Sequence, residues 1–499
     1  MNLVTLFRRH VATSPSAPAL VWDGGMWSYG ELEQLVGRFA ALLAARGLGE
    51  GARVALLLPN HPAFAVALLG TLWRGAVAAV LSPAWAPADT ARALAESDVR
   101  LVVTTDALAA ATGVSGDEVL IVPGGAAPFA PGATAGPLPS VHARNEADHA
   151  TILYSSGTTA DPRGVVLTHG NLAFNAAAKV RYCGIMPSDR LAMVVPMAHC
   201  FGQNVVLLGA LFAGASVRLF TRFEAAAVAE AIDTGDVSML LASPTAFERL
   251  LALGDPRPLR KLRYALTAAA PPRDELAARW RDATGTALAQ GYGLTECSPF
   301  ATYDPDASDA GRGVGRAIDQ VVVAIAPLDD QSGTVLAEGE GEIIVRGPNV
   351  MAGYWRRPEA TARALRGGWL HSGDVGRVAA CGTVSLLDRV DDVINVAGFK
   401  AWPSDVERAL RAHPAVLDCA AYGLPDTDRG AAVGASVVLH DGWQVAGGDI
   451  MQFAAAQLAG FQRPARLRIV DELPHSASGK VMRRALAASH QEAVSSRTS

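Results

Sequence analysis

From Trp27 to Leu81 apolar residues recur first at helical spacing and then in short unbroken runs. Ser28 and Glu31 stand three apart, as in a capping box, which predicts a helix through Leu32–Leu43, and Val54-Ala55-Leu56-Leu57-Leu58 predicts a buried strand. The same alternation returns from Ile152 to Leu288, with 238–242 a further strand candidate, and strands alternating with helices are the wiring of an α/β fold. From about Val314 to Val390 strand patterns dominate, separated by glycine-rich turns such as Glu338-Gly339-Glu340-Gly341 before Ile343-Ile344-Val345. The stretch 119–139, rich in Gly, Ala and Pro, predicts a surface loop.

Near Val390 the pattern changes. A strand over 383–387 runs into Asp388-Arg389-Val390-Asp391-Asp392, charged residues suited to a linker that turns in water. Beyond it the spacing predicts a helix over 404–412, a strand over 434–439, a helix over 449–458, a strand over 467–470 and a disordered tail over 495–499. The expected fold is therefore α/β: a large N-terminal domain over 1–390, built of α/β subdomains plus a β-rich subdomain, and a small C-terminal α+β domain over 391–499.

Composition narrows the classes. A chain of 499 residues exceeds one hydrophobic core, and half of it is hydrophobic. The apolar run from Ala63 to Trp73 ends at Arg74, too short to span a bilayer, and predicts a buried helix; no integral membrane segment is expected. No basic segment followed by a small-residue cleavage site opens the chain, so a cytoplasmic location is expected. Cys183, Cys200, Cys297, Cys381 and Cys419 are scattered and odd in number, which argues for free thiols rather than disulfides or zinc. A net charge of −5 without Lys/Arg blocks gives no footprint for nucleic acid.

The richest chemistry lies in Tyr154-Ser155-Ser156-Gly157-Thr158-Thr159-Ala160-Asp161-Pro162-Arg163-Gly164-Val165. Hydroxyls and glycines in a row supply O–H and unobstructed N–H donors, and Arg163 can fork onto phosphate oxygens, so the segment reads as a phosphate-holding loop between two strands. A Ser/Thr-rich surface turn is the alternative for the segment alone. It is not a Walker loop, because the cation precedes Gly164 instead of following the last glycine. Gly311, Gly313 and Gly315 lack the third spacing of a dinucleotide fingerprint and predict a turn.

Four more segments follow in order: Gly291-Tyr292-Gly293-Leu294-Thr295-Glu296, Trp369-Leu370-His371-Ser372-Gly373-Asp374, Asp388-Arg389-Val390-Asp391-Asp392 and Ser478-Gly479-Lys480. Together with the loop they resemble the adenylate-forming superfamily of acyl- and aryl-CoA synthetases, nonribosomal-peptide adenylation domains and beetle luciferases. The resemblance runs from Trp27-Ser28-Tyr29-Gly30-Glu31-Leu32 to Lys480. It implies ATP-dependent activation of a carboxylic acid to an acyl-adenylate, then transfer to a thiol. ATP, Mg2+ and coenzyme A are the implied cofactors, and residues 1–390 and 391–499 become an adenylation domain and a mobile lid.

Each implied role falls on named residues. Ser155, Ser156, Gly157, Thr158, Thr159 and Arg163 would hold the triphosphate; Glu296, with the Ser155 hydroxyl, would ligate magnesium beside Thr295. Ala269, Ala270, Pro271, Gly291, Tyr292 and Gly293 would surround adenine, and Asp374 with Arg389 would take the ribose hydroxyls. Lys480 would swing in to stabilise charge during adenylation, while Gly398 and Lys400 would face the site when the thiol attacks. Asp391 is the implied hinge. His199 matches a gate on the acyl pocket, with an ordinary core histidine as its alternative.

Departures from the pattern qualify single positions. Ala160 stands where the loop usually has Gly, Arg163 where it usually has Lys, and Thr267-Ala268-Ala269-Ala270-Pro271 replaces glycines beside adenine, which predicts a tighter pocket. No Asp near His199 is placed to pair with an α-ammonium, which favours an uncharged acyl or aryl tail over an amino acid. The interval from Glu296 to Asp374 has no room for the insertion typical of fatty-acyl-AMP ligases, which favours free CoA as the acceptor. An acyl carrier protein is the alternative acceptor; a luciferase-like oxidative enzyme and a nucleotide-binding pseudo-enzyme are the rival classes.

Overall fold

The computed structural model describes residues 2–123, 137–155, 162–270, 275–306, 313–328, 333–474 and 481–498. The chain forms two compact units: Met1–Ala324 with Ile344–Ser372 and Ala379–Val384, and Ile325–Ile343 with Gly373–Val378 and Ser385–Ser499.

The first unit carries two large sheets. One has seven strands in the order Gly353–Tyr354, Arg163–Thr168, His149–Ser155, Val77–Val80, Arg53–Leu57, Leu101–Thr105 and Val119–Val122. Its last five strands run parallel, and its first three pair antiparallel. The other has nine, in the order Arg316–Ala317, Thr302–Asp304, Leu288–Tyr292, Tyr264–Thr267, Met239–Ala242, Arg190–Met193, Ser216–Leu219, Pro18–Trp22 and Gly25–Ser28. Six of these form a parallel centre, from Leu288–Tyr292 to Pro18–Trp22. The reason is in the sequence: strands such as Met239–Ala242 and Val77–Val80 read as unbroken, fully buried apolar runs, the mark of parallel strands covered on both faces. The helix Pro62–Trp73 is buried at every residue, as the run from Ala63 predicts. Ser28 caps Tyr29–Ala45, with the reciprocal Glu31 bond in place. Trp280 packs edge-on to Phe247 in the core beneath the nine-stranded sheet.

The second unit contains the three-stranded sheet Val416–Asp426, Gly430–Leu439 and Arg466–Ile469, packed on the helices Pro403–Arg411 and Gly447–Ala455. A separate hairpin joins Ile394–Val396 to Phe399–Ala401. Among the described residues no helix is long and apolar enough to cross a membrane.

Three expectations need correction. Residues Val119–Val122 form an edge strand instead of opening a loop, because Val-Leu-Ile-Val pairs with Leu101–Thr105; 124–136 lie outside the described residues. Gly339 and Gly341 sit inside the strand Gly339–Arg346 instead of a turn, since a Cβ at Gly341 would lie 2.4 Å from the Ala326 carbonyl and only glycine lets the chains close. The helix Arg483–Thr498 runs into the segment expected to be a disordered tail as far as 498, propagating from Ala485-Leu486-Ala487-Ala488, strong helix formers. The pattern also missed Val416–Asp426, whose Asp418 and two glycine-like small residues hide its alternation.

Candidate active site

The topology gathers several of the first unit's candidates at one edge of the nine-stranded sheet. In a parallel sheet the loops after the strands emerge together at the carboxyl ends, where open α/β folds bind ligands. Strand Tyr264–Thr267 pairs in register with Leu288–Tyr292, Thr267 opposite Gln290, so the chain leaves the sheet at Ala268-Ala269-Ala270 beside the strand end Gly291-Tyr292 and Gly293. Two strands further along the sheet, Arg190–Met193 leads to Pro196–Cys200 at the same edge.

Side-chain contacts close this arrangement. Cys200 Sγ lies 3.2 Å from Thr295 Oγ1 and 3.8 Å from His199 Nδ1. His199 Nδ1 also accepts the Phe201 N–H at 3.2 Å, so in the neutral ring the proton sits on Nε2. His199 is half-buried at the start of the π-helix Phe201–Leu208, a form that often marks functional sites.

The phosphate segment is held at its ends. Strands His149–Ser155 and Arg163–Thr168 pair antiparallel with Ser155 opposite Arg163, which confirms the two expected strands. Ser156, Gly157, Thr158 and Thr159 lie outside the described residues, as do Pro271 and Lys480. The Arg163 guanidinium sits 5.6 Å from the centre of the Tyr354 ring. Tyr354 in turn donates to Glu296 Oε1 at 2.8 Å, and the Glu296 carbonyl accepts the Met351 N–H at 2.8 Å. Burial, followed by the Glu296 charge, raises the Tyr354 phenol's pKa well above its ordinary value, so it remains a donor. Tyr354 is thus a site residue that the motif reading missed; the signal was Gly353-Tyr354, an aromatic pinned to the phosphate hairpin by pairing with Val165 and Val166.

Magnesium fits this donor set. Among the described residues no three acidic, His or Cys side chains gather into a metal cage. A lone carboxylate beside the candidate phosphate hairpin suits a cation that keeps waters and completes its shell with substrate phosphates. Of Ser155 the structure describes the backbone pairing only.

Two motif positions have conformational reasons of their own. Ala269 adopts φ +75°, so the backbone beside Tyr292 keeps the left-handed shape that glycine favours even though alanine occupies it. A Cβ on Gly293 would lie 1.8 Å from the Pro299 carbonyl oxygen, so glycine is required there by the chain's own crossing.

In the second unit, Arg389 Nε stands 3.7 Å from Asp374 Oδ1, and the adjacent Gly373 N–H donates to Glu342 Oε1 at 3.0 Å. Asp391 is exposed in the turn Val390–Asp392. Gly398 turns the hairpin at φ +89° with Ala397 at +52°, leaving Lys400 exposed and Phe399 stacked on Phe461 at 5.1 Å. Arg483 bridges Asp392 at 3.2 Å and buried Glu407 at 2.8 Å, tying this turn to the helix Pro403–Arg411.

The AMP-binding enzyme model matches residues 7–355 and the AMP-binding enzyme C-terminal domain matches 405–480. The chain is 34% identical to a feruloyl-CoA synthase of an Amycolatopsis species over 95% of this chain and 96% of that protein. It is 29% identical to a long-chain-fatty-acid–CoA ligase of Escherichia coli O157:H7, over 97% and 94%. ATP-bound MatB from Rhodopseudomonas palustris superposes with a TM-score of 0.89 at 30% identity, covering 98% of this chain and 99% of that one. Matched by both models and by full-length relatives, the chain belongs to the AMP-binding enzyme family.

Proposed function

We propose that this AMP-forming acid–CoA ligase activates an uncharged aryl or fatty acid in the cytoplasm and passes the acyl group to coenzyme A. The observation that carries the reading is the joined set Arg163, Tyr354 and Glu296, a cation and a carboxylate held together at the end of a Ser/Thr-rich hairpin.

In the first step the acid's carboxylate attacks the α-phosphorus of ATP, giving acyl-adenylate and pyrophosphate. Arg163 binds the departing phosphates, and its charge gains strength as the site dries. Glu296, with Ser155, would hold magnesium, which would offset triphosphate charge. Tyr354 fixes one Glu296 oxygen. Tyr292 and Ala269-Ala270 flank adenine, and Asp374 with Arg389 receives the ribose hydroxyls. Lys480, on the lid over 391–499 that turns at Asp391, stabilises charge at phosphorus. In the second step the lid presents Gly398 and Lys400 instead, and the thiol displaces AMP.

The tail assignment is supported by the segment Pro196–Leu208, which holds no carboxylate to pair with an ammonium. His199 gates that pocket. Pyrophosphate exchange with a panel of aryl, fatty and amino acids tests the reading: exchange only with amino acids overturns the tail assignment, and none with any acid overturns the activity. Supplying CoA or a phosphopantetheinylated carrier to the competent pair then decides the acceptor; acyl-carrier without acyl-CoA defeats the CoA choice.

A further inference from the structure

The helix His169–Cys183 buries a polar stripe. Asn171, Asn175 and Lys179 follow one another at four-residue spacing on one face, and they are 8%, 0% and 2% exposed. A helix packed in a core is expected to offer apolar residues there, and an ammonium in that place is costly unless paired. No carboxylate lies within ion-pair distance of Lys179 among the described residues; its Nζ sits 3.1 Å from the centre of the Phe300 ring. Burial lowers the Lys179 pKa to about 8.

The stripe meets the segment that follows Glu296. With its amide oriented to satisfy both atoms, Asn175 donates to the Ser298 carbonyl at 2.7 Å and accepts the Phe300 N–H at 3.3 Å. Asn171 donates to the Pro348 and Val350 carbonyls at 2.8 and 2.9 Å. Between those two, Asn349 donates to the Phe300 carbonyl at 2.9 Å and accepts Ser298 Oγ–H on its own carbonyl at 2.8 Å. Apart from Asn171 Oδ1, which accepts the Thr168 N–H at 2.9 Å in the cap of the helix, these bonds land on residues 298–300 or 348–350, the segments that flank Glu296 and its anchor Met351.

We propose that Lys179 is a positioning residue for adenylation: seated on Phe300, its ammonium holds the Glu296–Phe300 turn so that the Glu296 carboxylate keeps its place beside Tyr354 and the phosphate hairpin. The inference rests on Glu296 being the magnesium carboxylate. A residue kept only for packing would do better as methionine, because a buried cation facing a ring recovers only part of its lost hydration.

The test uses the full chain with Lys179→Met, Phe300→Leu and the double variant. Calorimetry gives the melting temperature without ligands and the magnesium dependence of ATP binding. Lys179→Met is expected to melt at the same temperature or higher, yet to need roughly tenfold more magnesium for half-maximal ATP binding, the scale of a desolvated cation–π contact. Once Phe300 is leucine, Lys179→Met is expected to add no further rise. Unchanged magnesium dependence, or effects that simply add in the double variant, would overturn the proposal. A variant that melts lower and also needs more magnesium is judged on that same non-additivity, and if Lys179→Met does not fold, Phe300→Leu alone must show the tenfold rise. Glu296→Gln run in parallel separates the two readings: if it leaves the magnesium requirement unchanged, the Glu296 assignment fails, whereas a rise there with none in Lys179→Met defeats only the role of Lys179.

Discussion

The Tyr354 hydroxyl donates to Glu296 Oε1 at 2.8 Å across 58 residues of sequence, and Arg163 lies over the same ring. One phenol thus joins the triphosphate cation to the magnesium carboxylate of the proposed reaction. Tyr354→Phe keeps the ring and deletes the donor. Pyrophosphate exchange is expected to fall about 10- to 100-fold, the scale of a hydrogen bond to a charged group, with a matching rise in magnesium requirement. Unchanged exchange across a magnesium titration would detach Tyr354 from the chemistry.

Arg163→Lys keeps the charge and loses the fork, so a mild effect is expected; Arg163→Ala is expected to raise the KM for ATP while the KM for the acid holds. Steady-state kinetics with each substrate varied in turn checks this. An alanine variant impaired for the acid instead would mean the hairpin had been assigned to the wrong substrate.

Ala269 carries a conformational cost of about 1–2 kcal/mol for its left-handed φ of +75°, partly offset by the stiffer unfolded chain that alanine gives. Ala269→Gly is expected to stabilise the protein by roughly 1 kcal/mol in denaturant unfolding. A loss of stability would show that the methyl packs well enough to outweigh the strain.

Lys480→Ala is expected to abolish nearly all adenylate formation while sparing thioester formation from a supplied acyl-adenylate, because the lysine serves only the first lid orientation. Rapid-quench assays of the separate half-reactions decide it. Equal losses in both would remove Lys480 from that role.

Asp388 adds a pH signature. Burial pushes its carboxyl up to about 6, against the lowering pull of Ser404, whose N–H it accepts at 3.0 Å, and of Arg483. The folded chain therefore holds a proton that the unfolded chain releases above its ordinary value near 3.8, and stability contributed by this group declines as pH rises from about 3.8 to 6. Asp388→Asn keeps an acceptor for Ser404 and removes the titration. Its melting temperature is expected to gain on the parent's through that window and to hold the gain above pH 6, as thermal melts at stepped pH will show.

Much of this was readable from the residues because the decisive signals are local. Unbroken apolar runs such as Met239–Ala242 marked parallel strands, Ser28 and Glu31 marked a helix start, and the Gly291–Glu296 motif marked the end of the strand Leu288–Tyr292. Tyr354 was not readable as a partner of Glu296, since only the pairing of Gly353–Tyr354 with the hairpin brings it there. Lys179 was equally hidden: in sequence it is a cation on an amphipathic helix, and only the packing of that helix behind Phe300 turns it inward. Alternation fails at Val416–Asp426 for a related reason, since small residues leave the hydrophobic period without contrast.

The crossing of Gly293 and Pro299 changes how a substitution scan of the Gly291–Glu296 motif is to be interpreted. With 1.8 Å between a new methyl and the Pro299 oxygen, Gly293→Ala would wedge apart the two ends of the turn that presents Glu296. Nucleotide affinity would drop without any lost contact to nucleotide. A mutational map that scored each motif position by its defect would therefore draw the adenine pocket one residue too large, and an engineer seeking a new nucleotide preference would gain more freedom at Gly291, where an added methyl stands 3.4 Å from the Phe300 ring.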